Sequence, residues 1–193
     1  MKYPAIKPKR LTGTEPIVDG DNEVSSLSSF WQWAYSDLVG NTERGALAEY
    51  LVACALGVER ENRISWDRYD LVSSDGVTIE IKTSGYLQTW GQDKLSNITF
   101  GVAETLGWDS VSNETSQKKE RQAKLYIFCV HNHTDKGTIN PLDTSQWDFY
   151  ILPTEVLNQK IRSQKTIGLS ALIKIGAQKC AYSDLRTAVS KYA

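Results

Sequence analysis

The chain has 193 residues, which is enough for one domain that buries a single substantial core without disulfides or structural metal. Hydrophobic residues make up 40% of the sequence and charged residues 23%, a mix typical of globular proteins that argues against disordered, fibrous and membrane proteins. The formal net charge is -1, so a surface that binds phosphate groups would have to be a local patch on a nearly neutral protein.

Cysteine usage and the lack of long apolar runs bear on the compartment. Cys54, Cys129 and Cys180 are odd in number and far apart, and the first two lie in apolar runs, which is typical of buried thiols in a reducing compartment. The N-terminal residues include basic side chains but no apolar segment of signal length, and no run approaches a membrane span. We therefore expect a cytoplasmic protein without membrane contact.

The N-terminal part of the chain is predicted to be an arm followed by two helices. Residues 1–24 mix proline, glycine and acids without periodicity, which indicates a polar N-terminal arm. Helical spacing of apolar residues behind a serine cap predicts a helix over 25–38, closed by Gly40. A second helix is predicted from residue 41 or 42 to Leu56, with Gly57 in the position that ends helices.

The remaining sequence predicts an α/β protein with a central mixed β-sheet flanked by helices. Short runs rich in β-branched and aromatic residues predict strands over 69–73, 77–83, 98–102, 125–130 and 149–152. The polar residues 109–124 indicate a surface loop or a solvated helix. Pro153 begins a predicted helix, and Ser183 caps a final one.

The stretch WDRYDLVSSDGVTIEIKTS, residues 66–84, holds two of these strands around an Asp-Gly turn. Leu71 and Ile79 are both expected to face the core, so the pairing of the strands must bring them to the same face. A three-residue loop that ends at Gly76 in the left-handed conformation gives that register.

The same register brings charged residues together. Asp70 is predicted to lie opposite Glu80, with Lys82 two residues further along the same face. Carboxylates about 5 Å apart repel by roughly 3 kcal/mol at an effective dielectric constant of about 20. A divalent cation such as Mg²⁺ or Mn²⁺ would turn that repulsion into attraction. An exposed strand face with alternating charges is the other explanation of Glu80 and Lys82.

The second predicted helix supplies a third acid. In ALAEYLVACAL, residues 46–56, Glu49 is the sole charge in a segment that is apolar all round, so we expect the segment to be buried all round. A lone buried carboxylate is costly unless something pairs with it. Lys82, Arg44 or a metal ion shared with the hairpin carboxylates would each supply the partner.

These residues resemble a known family of nucleases. A helix glutamate, then an aspartate on one strand, then Glu-x-Lys on the next strand is similar to the PD-(D/E)xK, or restriction-endonuclease-like, superfamily; the matching residues are Glu49, Asp70 and Glu80-Ile81-Lys82. The resemblance covers about residues 41–102, and Tyr69 stands in place of the proline that names the motif. It implies a restriction-endonuclease-like core, with residues 25–193 as a single PD-(D/E)xK nuclease-like domain.

The resemblance implies metal-dependent hydrolysis of phosphodiester bonds, with DNA as the preferred substrate and RNA as an alternative. Asp70, Glu80 and the main-chain carbonyl of Ile81 would hold Mg²⁺, for which Mn²⁺ would substitute. Lys82 would orient or deprotonate the attacking water and stabilise charge that develops on the phosphate. Glu49 would bind a second metal ion or position the first.

Two further residues follow on the same stretch. Ser84 and Gln88 are candidates for a supporting role around the site, because a glutamine just after the Glu-x-Lys strand recurs in several branches of this family. Turn and surface positions explain both residues at least as well.

Several partners and settings stay open for such a chain. Homodimers are frequent among the similar nucleases, and the polar arm or the tryptophan-rich first helix could form that contact. Restriction or defence, repair and mobile-element processing are each compatible settings. The first alternative is a catalytically inactive nuclease-fold module that binds nucleic acid or a partner protein. A scaffold whose charged face meets a partner is the second.

Overall fold

The structure is a computed structural model, and it describes residues 3, 6, 8–60, 62–64, 67–109 and 113–193. The helices are α1 Leu27–Tyr35, α2 Asn41–Leu56, α3 Thr154–Ile161, α4 Leu169–Lys174 and α5 Leu185–Ser190. The strands are β1 Pro16–Asp19, β2 Asn22–Ser26, β3 Leu71–Val72, β4 Thr78–Gly85, β5 Thr99–Gly101, β6 Thr105–Asp109, β7 Glu114–Glu120, β8 Leu125–His131, β9 Trp147–Pro153, β10 Thr166–Gly168 and β11 Gln178–Cys180.

A five-stranded mixed sheet forms the centre of the protein, in the order β11-β9-β8-β4-β3. Strands β4 and β8 run parallel, and the other neighbours in this sheet are antiparallel. The chain between β4 and β8 contains β5, which pairs with β10, and the β6–β7 hairpin. The predicted mixed sheet is therefore confirmed.

Helices cover both faces of this sheet, because side chains alternate between the faces along each strand. On one face, α2 and α5 pack against the sheet in a core that includes Ala48, Val52, Leu56, Ile79, Ile81, Leu125, Ile127, Phe149, Leu185 and Val189. On the other face, α3, α4 and the β5–β10 pair enclose Phe100, Tyr126, Phe128, Val130, Tyr150, Leu152, Leu157, Ile167 and Leu172. Flanking helices on both faces were also predicted, and they are confirmed.

Helix α2 has the bounds that the sequence indicates. It ends at Leu56 because Gly57 adopts the left-handed conformation, with φ of 74°, and donates to the carbonyl of Cys54. Gly40, in contrast, does not close α1. Helix α1 ends at Tyr35, and Gly40 is the residue that precedes the first turn of α2.

Polar strands are the elements that the sequence analysis missed. The prediction of a loop or helix over 109–124 is wrong, since β7 pairs with β6 in a hairpin outside the central sheet. Strands β1 and β2 form a second exposed hairpin within and just after the predicted arm. Residues 1, 2, 4, 5 and 7 of that arm, Trp66 and residues 110–112 lie outside the described residues.

Within the described part of the chain, none of the helices has the length and apolar character that crossing a membrane requires.

Candidate functional site

The β3–β4 hairpin has the register that the sequence predicts. Leu71 pairs with Ile79, and Val72 pairs with Thr78, so the loop between Ser73 and Val77 contains three residues. Gly76 adopts a φ of 79°, which a side chain would strain. The paired residues of this hairpin end at Leu71 and Ile79, so Asp70 lies outside the register in which it was predicted to face Glu80.

Asp70 turns its carboxylate into the edge of the sheet. Its own N–H donates to the carbonyl of Ile79 at 3.0 Å, and Ile79 is also the register partner of Leu71. Two residues of this strand therefore lie opposite one residue of β4, as in a β-bulge. Asp70 Oδ2 then accepts the N–H of Ile81 at 2.6 Å, where a longer β3 would have supplied a backbone carbonyl. The N–H and C=O of one strand residue point to the same side, so the Ile81 carbonyl also faces this edge.

Glu80 and Lys82 lie on the sheet face opposite α2, since Ile79 and Ile81 belong to the α2 core. Lys82 Nζ donates to Glu80 Oε1 at 2.5 Å. Both side chains are partly buried, with 31% of Lys82 and 19% of Glu80 exposed. The face is therefore not the fully exposed strand surface of the alternative explanation.

Glu49 finds a partner that the sequence analysis did not consider. Arg63 donates through Nε to Glu49 Oε2 at 2.5 Å and through Nη2 to Oε1 at 2.8 Å. This two-pronged contact neutralises a carboxylate that is only 14% exposed. Of the partners considered from the sequence, Lys82 pairs with Glu80, and Arg44 donates to the carbonyl of Leu87.

Helix α2 is not buried on all sides, so that expectation is wrong. Tyr50, the neighbour of Glu49, is 52% exposed. The two residues line a cavity of about 470 Å³ that lies between α2 and the irregular chain leading to β3, and Asp70 also lines it. The apolar run of α2 reflects its packing on the sheet, with small alanines beside the cavity.

Asp70 is the most perturbed acid of the site. Burial, followed by the charge of Glu80, raises the pKa of Asp70 from 3.8 to about 7. The charge of Glu49 raises this pKa further, and the hydrogen bond from Ile81 and the charge of Lys82 lower it. Among the described residues, no lysine, arginine or histidine forms an ion pair with Asp70.

The three acids approach one another from different directions. Glu80 comes from one face of the sheet, Glu49 from the α2 face, and Asp70 from the edge between them. Accordingly, no group of three or more His, Cys, Asp or Glu side chains in the described chain is arranged to hold a metal ion. The oxygen donors that could serve a hard cation here are the carboxylates of Asp70 and Glu80 and the Ile81 carbonyl, with water completing the set; Glu80 Oε1 already accepts from Lys82.

Two residues near the acids were missed from the sequence. Tyr126 is the parallel register partner of Glu80 and is 3% exposed, and burial followed by the charge of Glu80 raises its pKa. Arg63 lies in an irregular segment 14 residues beyond its partner Glu49. Knowing that β4 pairs with β8 would have placed Tyr126 beside Glu80, but no local sequence pattern predicts that pairing.

Ser84 and Gln88 are not joined to the acids by a hydrogen bond among the described residues. Ser84 is half-buried within β4. Gln88 is buried, and its amide donates to the carbonyl of Gly85 and to Ser96 Oγ, both at 3.2 Å. Its Oε1 accepts from Arg44 at 3.4 Å. Gln88 is thus a buried residue of the loop that follows β4 rather than a surface residue.

A scan against models of known protein families gives no match for this chain, and a search of curated proteins gives none either. Any assignment of function therefore rests on the geometry and chemistry of the chain itself.

Proposed function

We propose that this chain is a metal-dependent nuclease of the restriction-endonuclease-like fold that hydrolyses phosphodiester bonds in DNA. The observation that carries the proposal is the partly buried carboxyl of Asp70, whose pKa is raised by burial and by the charges of Glu80 and Glu49, and which forms no ion pair among the described residues. A divalent cation would remove that repulsion, and sites that crowd acids in this way are frequently functional.

The arrangement of elements also supports the proposal. A mixed sheet flanked by helices carries the aspartate next to its edge strand, the Glu-x-Lys triplet on the adjoining strand and the glutamate on a preceding helix. This order agrees with the family that the sequence resembles. A fold of this class hosts many activities, so the site residues carry the argument.

Each residue of the site has a specific task in this proposal. Asp70, Glu80 and the Ile81 carbonyl hold Mg²⁺, with Mn²⁺ as a substitute. When bound, the ion polarises the scissile phosphate and lowers the pKa of the attacking water. Lys82 has three N–H donors, so it keeps its bond to Glu80 while it donates to the water or to a phosphate oxygen. Glu49 is neutralised by Arg63 and forms the part of the site that α2 contributes.

Two arginines reach the cavity beside Asp70 on a protein whose net charge is -1. Arg10 and Arg63 line it together with the acids Glu49, Glu59, Asp67 and Asp70, and Arg63 already pairs with Glu49. Arg10 reaches this position because its Nη1 donates to the carbonyl of Glu59 at 2.6 Å. The surroundings are therefore of mixed charge, and a polyanionic substrate would need the bound cation for charge compensation.

The test is nicking of supercoiled plasmid by the pure protein in Mg²⁺. Lys82→Ala and Glu80→Ala should each lower the nicking rate about 100-fold or more. Glu155→Gln is the matched control, since Glu155 is an exposed glutamate of α3 on the surface of the protein, and it should nick like the unmodified chain. Equal nicking by all proteins would refute the catalytic claim, and DNA binding without any nicking would favour the inactive module.

A further inference from the structure

Residues 8–12, which we call the strap, run beside the candidate site without helix or strand structure. Each of these residues is exposed, and even the apolar side chain of Leu11 is 47% exposed. The strap therefore buries little apolar surface. Low burial of this kind is typical of segments that open locally while the rest of the domain stays folded.

The C-terminal end of the strap is firmly attached to the start of α1. The N–H groups of Thr12 and Gly13 donate to the carboxylate of Glu15, at 3.0 Å and 2.8 Å. The carbonyl of Gly13 accepts the N–H of Ser28 at 2.9 Å. Gly13 is buried against Trp31, since a Cβ on this glycine would lie 2.9 Å from Trp31 Cζ3. Gly13 is thus a fixed point from which the strap extends.

Two hydrogen bonds among the described residues hold the rest of the strap against the chain that follows α2. Arg10 Nη1 donates to the carbonyl of Glu59 at 2.6 Å, and Asn62 Nδ2 donates to the carbonyl of Pro8 at 3.1 Å. Both acceptors are neutral main-chain oxygens, and both contacts are exposed. A guanidinium binds an anionic oxygen about twice as strongly as a neutral one, so a phosphate group competes with the Glu59 carbonyl for Arg10.

Arg10 forms one side of the cavity of about 470 Å³ that Glu49 and Asp70 also line. Tyr50 on α2 belongs to the same lining. Its contact with Cys54 raises the pKa of Tyr50, and the charge of Arg10 acts in the opposite direction, so the guanidinium lies near this side chain. Arg10 therefore extends from the strap toward α2 at the cavity, and movement of the strap would widen access to it.

We propose that the strap is a gate on this cavity and that a phosphate group of the substrate opens it. In the substrate-free chain, Arg10 holds the strap closed through the Glu59 carbonyl. A phosphate oxygen then binds the guanidinium, and residues 8–12 move away from the cavity about their fixed end at Gly13. A ligand shifts such an equilibrium only by its preference for one state, which here is the stronger bond to Arg10 in the open strap. The inference rests on the proposed nuclease function and adds control of access to its site.

The test measures access to the cavity with a thiol reporter. Ala46→Cys places a thiol on the α2 side of the cavity, and its rate of alkylation by iodoacetamide reports opening of the strap. The rate of the chain without this substitution is subtracted, because Cys54 and Cys180 are half-buried thiols. Within the reporter chain, Arg10→Gln should raise the alkylation rate about tenfold, since it removes a charged hydrogen-bond donor. Lys9→Gln is the matched control, which removes the same charge from the exposed neighbouring residue and should not change the rate.

A second variant loosens the strap without altering Arg10. Asn62→Ala removes the other hydrogen bond and should raise the alkylation rate about threefold. Urea midpoints of all variants confirm that the chains compared are folded. Alkylation rates that neither Arg10→Gln nor Asn62→Ala changes would overturn the inference.

Added phosphate tests what opens the strap. Inorganic phosphate and dimethyl phosphate, a minimal phosphodiester, should each raise the alkylation rate of the reporter chain about threefold at constant ionic strength, and Arg10→Gln should abolish this response. Sodium chloride at the same ionic strength is the control. An equal response to chloride would overturn the inference. A response to inorganic phosphate alone would also overturn it, because it would assign the strap to a free phosphate ion rather than to the substrate.

Alkylation requires no catalysis, so the outcome separates this inference from the proposed function. A strap that responds to phosphate through Arg10, in a protein that never nicks plasmid, would keep the gate and refute the nuclease. Plasmid nicking that depends on Lys82, with alkylation that ignores both Arg10 and phosphate, would keep the nuclease and refute the gate.

Discussion

Two charged side chains, Asp70 and Arg44, lie near the two ends of β4, and their surroundings differ. Near its start, Asp70 is a partly buried acid whose carboxylate accepts one main-chain hydrogen bond, and burial followed by the charge of Glu80 raises its pKa to about 7. Past its end, Arg44 is 2% exposed and donates to the carbonyl of Leu87 at 2.9 Å and to Asn41 Oδ1. Both are charged groups in the interior without an ion pair among the described residues.

The difference between the two ends shows how a structural charge differs from a functional candidate. A guanidinium stays charged at ordinary pH, so Arg44 is stable only because neutral oxygens surround it. Its approach to β4 is fitted to Gly85, where a Cβ would meet Arg44 Nη1 at 2.6 Å. Burial and the charges of Glu80 and Glu49 oppose the ionised form of Asp70, and the hydrogen bond from Ile81 and the charge of Lys82 offset them only in part. A perturbed acid of this kind is a candidate for a functional role.

The largest expected effect is a stability difference that depends on pH in Asp70→Asn. Below about pH 3 the Asp70 carboxyl is protonated in both the folded and the unfolded chain, so the two proteins should be equally stable. As the pH rises toward 7, only the unfolded chain ionises freely, and the unmodified protein loses stability relative to the variant. At pH 8 without divalent metal, the variant should be more stable by an amount on the order of 3–4 kcal/mol.

Urea unfolding at several pH values measures this difference. Added Mg²⁺ should narrow the difference in stability at pH 8, because the ion stabilises the ionised carboxyl of the unmodified chain only. A stability gap that is the same at pH 4 and pH 8 would contradict the raised pKa of Asp70.

Arg44→Met tests the other end of β4, and its effect should have the opposite sign. The substitution leaves the Leu87 carbonyl without a donor in a buried place, whereas the exposed side chain of Asn41 can turn to water. We expect a loss of about 2–3 kcal/mol in the free energy of unfolding, independent of pH. A shift of the urea midpoint with an unchanged slope would measure it; an unaltered midpoint would mean that Arg44 is not a structural charge.

Gly76→Ala tests whether the hairpin positions the acids. The φ of 79° at Gly76 strains any side chain, although a Cβ there would meet no atom within 4 Å. The expected loss of stability is about 1–2 kcal/mol, due to the backbone alone. Gly45→Ala in α2, where a Cβ also meets no atom, is the matched control and should not destabilise the protein. Equal effects of the two substitutions would refute the turn as the source of the register.

Arg63→Ala should have the smallest effect. Because Arg63 is 51% exposed, removing its contact with Glu49 should cost no more than about 1 kcal/mol. The freed charge of Glu49 should nonetheless oppose ionisation of Asp70, so the pH range over which Asp70 lowers stability should move upward. Stability profiles of this variant and of the unmodified chain that superimpose would exclude electrostatic coupling across the sheet edge.

The sequence predicted correctly those parts of the fold that depend on residues close together in the chain. The hairpin register follows from the parity of Leu71 and Ile79 together with the glycine at 76, and the end of α2 follows from Gly57. The exposed hairpin β6–β7 gave no such signal. Its second strand, ETSQKKE, is almost entirely exposed, so it has no buried face to impose an alternating pattern.

The candidate site was predicted in composition but not in geometry. The order of the residues along the sequence was enough to select the three acids and Lys82 as candidates, because each lies at a fixed position on a predicted helix or strand. The turn of Asp70 into the sheet edge depends on β3 being only two residues long, which propensities do not fix. The Arg63 partner of Glu49 comes from an irregular segment whose path no periodicity describes.

The most direct test of the account is a calorimetric titration of Mn²⁺ into the pure protein at pH 8. The unmodified chain should show a binding event that Asp70→Asn and Glu80→Gln each abolish and that Glu155→Gln leaves unchanged. Heats of binding that are absent, or that persist undiminished in both site variants, would contradict a metal ion held by Asp70 and Glu80 and would favour a scaffold.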